Sequence, residues 1–162
     1  MRIASMVALL GLSAPGCLAS EPDRVELADD DAIALLASVR ADGYEAWEAP
    51  PTSADLPRRR LAAGPHGAYV EVYLHPDLLA AFFGDALIET WPTGATAVCE
   101  SYATEDDSDP YLVNVMRRND GGWSWAQVDG EDRPLTGARP DDCIGCHGAA
   151  DDFVFSLFLP RE

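Results

Sequence analysis

The apolar positions change period several times along the chain, and each change marks an element. Asp29, Asp30 and Asp31 precede Ile33, Leu36 and Ala37 at helical spacing, and Gly43 closes the run, which predicts a capped N-terminal helix. Residues 44–65 carry repeated prolines and Arg58-Arg59-Arg60, the composition of an irregular connection. In AYVEVYLH the period drops to two, with Val70, Val72 and Leu74 on one face and Tyr69, Glu71, Tyr73 and His75 on the other. Pro76-Asp77, the run LLAAFF and Gly84 predict a short second helix. Pro92-Thr93-Gly94 is a turn, and ATAVCESY reads as the strand after it. YLVNVMRR and WSWAQV form a hairpin through Asn119-Asp120-Gly121-Gly122. DFVFSLFL alternates Phe153, Phe155 and Leu157 against Val154, Ser156 and Phe158, as a last strand would. No repeat is present. The expected fold is α+β, a mostly antiparallel β-sheet with an N-terminal helix and a short second helix.

The first 19 residues stand apart. Basic Arg2, an apolar run from Ile3 to Leu12 and small residues after it read as an export signal. The run is shorter than the roughly 20 residues a bilayer span requires. Ala14-Pro15-Gly16-Cys17 partly fits lipid attachment at Cys17, although a bacterial lipobox prefers Leu where Ala14 stands. Cleavage after Ala19 is the other route. The lipid-anchored form is preferred. Either places the protein in the periplasm or another extracytoplasmic space. Residues 20–31 read as an acidic tether, and residues 32–162 as one domain. At 48% hydrophobic residues and a mean hydropathy of −0.09 it has the composition of a globular unit. A net charge of −17 argues against nucleic acid and anionic membrane surfaces as partners. All 11 positively charged residues are arginine, with no lysine in the chain.

Near the C-terminus lies Cys143-Ile144-Gly145-Cys146-His147. Two thiols at this spacing, followed at once by a histidine, form the pattern that attaches haem c. Each sulfur joins one vinyl group, and the histidine becomes the proximal iron ligand. The motif has two other uses: a zinc site with Cys99 as fourth ligand, and a redox or disulfide pair, which belongs to a thioredoxin-like unit the periodicity does not show. One covalently attached haem c is the preferred reading, and export agrees with it. Residues 148–162 contain no Met, His or Lys, so a second axial ligand would have to be Met116, His66 or His75. Met116 reads as a core side chain, His66 as a turn residue and His75 as a solvated strand residue. Five-coordinate iron with one open side is therefore expected, which suits a small ligand better than electron carriage. A six-coordinate electron-transfer cytochrome is an alternative.

The segments HGAYVEVYLH, WPTGATAVCESY, YLVNVMRRNDGGWSWAQVDG, CIGCH and DDFVF, in this order, resemble the cytochrome P-460 family, which includes the cytochromes c′-beta. The resemblance covers roughly residues 60–158. It implies an antiparallel sheet carrying one haem c near the C-terminus, commonly as a homodimer, with Cys143 and Cys146 attaching the haem and His147 binding its iron. One branch of that family oxidises hydroxylamine with a haem cross-linked to lysine. The other leaves the haem uncross-linked and binds nitric oxide or carbon monoxide in an apolar pocket. Without lysine this chain cannot make the cross-link, and Val98-Cys99-Glu100 stands where members often read Val-Lys-Glu. The expectation is a nitric-oxide-binding protein of the c′-beta kind. A hydroxylamine- or nitrogen-oxide-converting enzyme with a redox partner is the alternative. Further candidates are the Cys99 thiol at the haem edge, Phe82, Phe83, Phe153 and Phe155 as an apolar lid, and Glu100 or Glu131 as proton acceptors should catalysis occur.

Overall fold

The computed structural model describes residues 24–25, 29–49, 60–61, 66–84, 88, 90–135 and 140–148. The segment expected to be an export signal, Cys17 and the segment with Phe153 and Phe155 lie outside the described residues. Four long strands form the sheet: β3 (Tyr69–Leu74), β4 (Thr96–Tyr102), β5 (Leu112–Asn119) and β6 (Gly122–Asp129), each antiparallel to its neighbour. Two short strands extend the edges, β1 (Arg24–Val25) parallel to β6 and β2 (Arg60–Leu61) antiparallel to β3. The order is β1-β6-β5-β4-β3-β2. The hairpin expected from Asn119-Asp120-Gly121-Gly122 closes as the Asn119–Gly122 pair, with Gly122 at a φ of 123°. Neither edge strand is legible from periodicity, because each is two residues long. β1 falls inside the segment expected to be an acidic tether.

Helix α1 (Asp29–Ala41) follows β1, and α2 (Pro76–Phe82) follows β3, as the periodicity predicts. The inward stripe of α1 differs from the expected one. Ala32, Leu35, Leu36 and Val39 are buried, while Ile33 is 44% exposed and Ala37 is exposed. These positions repeat at i, i+3, i+4 and i+7, and pack in one cluster with Val98, Val113 and Val128 of the sheet. Burying Leu36 or Val39 contributes about 1.5–3 kcal/mol each. Arg117 fastens the helix to the sheet by donating to Ser38 Oγ at 2.8 Å and Thr96 Oγ1 at 3.0 Å. After α1, Gly43 takes a φ of 68°, which reverses the chain into a short 3-10 turn, Tyr44–Ala46.

That turn delivers Tyr44 to a carboxylate inside the core. Glu100 of β4 is 5% exposed and accepts from three phenols: Tyr44 at 2.6 Å, Tyr73 at 2.9 Å and Tyr102 at 2.7 Å. A buried carboxylate is tolerated only when such donors replace water. Burial, and then the Glu100 carboxylate, raise the pKa of both Tyr44 and Tyr73. Below the ordinary tyrosine value of 10.0 these phenols are neutral in the folded and unfolded chain alike. Above it the unfolded chain releases the protons while the folded chain keeps them, so stability falls as pH rises. Tyr44→Phe is expected to cost about 1–2 kcal/mol at neutral pH. It should also flatten the alkaline loss of stability, and urea unfolding at neutral pH and well above pH 10 measures both effects.

Candidate functional site

The sheet pleat alternates side chains, so Cys99 faces away from its neighbour Glu100. By register Cys99 lies beside Val72 and Asn114, Asn114 beside Gln127, and Met116 beside Trp125. The lower part of this second face is sealed by α2 and Trp91, which pack with Met116 and Trp123. Half-buried side chains continue the face: Val72, Ala97 and Trp125, which pack against that cluster, and Cys99, Asn114 and Gln127.

The Cys-x-x-Cys-His segment forms the end of α3 (Pro140–His147). Cys143, Cys146 and His147 stand at i, i+3 and i+4, hence on one face of that helix. Cys143 is half-buried and Cys146 exposed, and neither is in a disulfide. The His147 ring meets the half-buried sheet face, its centre 5.0 Å from that of Trp125 with the planes at 70°. A second imidazole lies next to it. The His66 and His147 ring centres are 6.1 Å apart and their planes cross at 89°. Burial, and then the positive charge of His147, hold the His66 pKa below its ordinary value. The turn that carries His66 is seated by Gly67 at a φ of 96°. A Cβ there would fall 3.5 Å from Ser101 Cβ and 2.0 Å from the Tyr111 hydroxyl, so no larger residue fits without movement.

Among the described residues three buried side-chain atoms have no hydrogen-bond partner: His66 Nδ1, Ser101 Oγ and Asn114 Nδ2. Ser101 and Asn114 project from the same sheet face as Cys99, and His66 sits beside it. Orphaned polar atoms clustered on one half-buried face mark a place suited to a further polar and apolar group. The donor set suits haem c, since the two thiols and the histidine share a helical face and His147 is turned onto the aromatic floor. The zinc alternative finds no support, because no three His, Cys, Asp or Glu among the described residues converge as a metal site.

The structure separates the remaining candidates. Cys99 is on the His147 side of the sheet, and its thiol is pushed up to about 12 by burial and then by the charge of Glu100. Glu100 faces α1, on the opposite side, and is occupied by the three tyrosines. Glu131 is in an exposed turn, 3.0 Å from Arg133. Phe82 packs at the margin of the α2 cluster, and Phe83 is 62% exposed. His75 leaves its strand to cap α2, with Nδ1 accepting from the Asp77 N–H at 3.1 Å and its ring 4.8 Å from Trp47. Trp125 is the side chain sequence reasoning passed over, although its register with Met116 across the hairpin was there to be read.

No protein-family model matches the chain, and no curated protein matches it.

A thiol with so high a pKa is protonated at neutral pH and a poor nucleophile. Maleimide labelling of the folded protein near pH 7 should leave Cys99 unmodified, whereas unfolding in denaturant should expose it to complete labelling.

Proposed function

We propose that this chain is an exported, one-haem c-type protein that binds nitric oxide or a similarly small uncharged ligand. The observation that carries the reading is the placement of Cys143, Cys146 and His147 on one face of α3, with His147 turned onto Trp125 above a half-buried sheet face. Cys143 and Cys146 would hold the haem through thioether bonds, and His147 would bind its iron. A haem held there supplies iron able to coordinate a diatomic molecule. Trp125 limits the directions in which the His147 ring can turn, and Val72, Ala97 and Cys99 present an apolar surface that favours an uncharged ligand. The export signal supports this reading, as covalent haem attachment takes place outside the cytoplasm.

Binding rather than turnover is favoured by the carboxylates. A proton acceptor must reach the reacting group. Glu100 is held by three phenols on the far face of the sheet, and Glu131 pairs with Arg133 in an exposed turn. The absence of lysine from the sequence excludes the lysine–haem cross-link used by the hydroxylamine-oxidising branch of the family the chain resembles.

Optical spectra of the purified haem protein, ferric and ferrous, test the proposal. Nitric oxide should shift the haem absorption, and hydroxylamine should give no sustained turnover. His147→Ala should abolish the wild-type spectrum. A haem spectrum indifferent to nitric oxide would remove the gas-binding reading.

A further inference from the structure

We infer that His66 is a second axial ligand, opposite His147, which an incoming small molecule must displace. The inference rests on the haem reading above and departs from the five-coordinate iron expected from the sequence. The separation of the rings is its first support. Imidazole nitrogens sit about 2 Å from a transition-metal ion, and a ring centre lies about 1 Å behind its nitrogen, so two imidazoles on one ion have centres about 6 Å apart. His66 and His147 are separated by 6.1 Å. A direct hydrogen bond between the rings would bring their centres to about 5 Å, so the two imidazoles are not bonded to each other and their spacing admits an ion between them.

The second support is chemical. His66 Nδ1 is buried with no hydrogen-bond partner among the described residues, a costly condition for a histidine. A ligand bond removes that cost. The other two donors considered from the sequence are engaged elsewhere. His75 Nδ1 caps α2, and its ring meets Trp47 edge to face. Met116 is packed with Leu78, Leu79 and Trp91. The backbone also favours His66: it lies in a turn, and Gly67 allows that turn to press against Ser101 and Tyr111. A close backbone approach thereby holds the imidazole next to His147.

The consequence is regulatory. Ligand exchange at such a site swaps one lone-pair donor for another, with no change of oxidation state and no proton transfer. Apparent affinity for the incoming ligand is reduced by the fraction of molecules in which His66 is bound. Weak ligands would be rejected, while nitric oxide, a strong one, would succeed.

The test is the spin state of the ferric holoprotein by electron paramagnetic resonance and optical absorption. Wild type should be low-spin. His66→Ala, with the same haem content, should be high-spin, and added imidazole should restore the low-spin signal. Nitric oxide should then bind the variant about tenfold faster or more, because no side chain has to leave first. His75→Ala should remain low-spin. High-spin wild type would overturn the inference whether or not the His66 variant folds, and so would a low-spin His66→Ala protein. Failure of the haem reading is separately visible: the chain would then carry no haem mass after denaturation, and the role of His66 would fall with it.

Discussion

A carboxylate buried on one side of a sheet decides which side is left for chemistry. Glu100 accepts from Tyr44, Tyr73 and Tyr102 in the core beneath α1. A slip of one residue in β4 would carry Glu100 to the other face together with Tyr102, leave the Tyr44 and Tyr73 phenols unsatisfied and turn Cys99 into the core. The register of β3 against β4 is therefore held by polar satisfaction as well as by hydrophobic burial. With α1 sealing that face and α2 sealing the lower part of the other, the half-buried area around Cys99, Asn114 and Trp125 is where α3 brings His147.

The two faces have opposite economies of polar groups. Beneath α1 the Glu100 carboxylate is matched by donors, and Arg117 spends its hydrogen bonds on Ser38 and Thr96. On the other face Ser101, Asn114 and His66 each keep a buried polar atom without a partner among the described residues. A fold that satisfies one side thoroughly and leaves the other short is consistent with a group completing the second side. Cys99, on that second face, is kept as a neutral thiol by burial and by the charge of Glu100 behind it. That makes it a better apolar surface than a reactive one.

Much of the fold was legible in the sequence, and the reasons are physical. Period-two alternation in AYVEVYLH and WSWAQV and the glycine-rich turn at 119–122 became β3 and the β5–β6 hairpin, because half-buried strands must alternate. The face of α1 was misjudged at Ile33 and Ala37, since several apolar stripes are available on that helix and packing against Val98 and Val113 selects one. β1 and β2 were missed because two-residue strands carry no period. At the proposed site, the Cys-x-x-Cys-His pattern is legible in the sequence, but the approach of His66 does not appear in it. That contact joins residues 81 positions apart and depends on Gly67 accepting a backbone conformation and a close contact that few residues could.

The central claim is that Cys143, Cys146 and His147 together hold a haem c. The most direct measurement is the mass of the protein purified from an exporting host and analysed under denaturing conditions, with the modified peptide located. The account predicts one haem retained on the peptide containing Cys143 and Cys146, and its loss from the chain when both are changed to alanine. Two unmodified thiols at those positions, in protein exported by a host that attaches haem c to other chains, would contradict it.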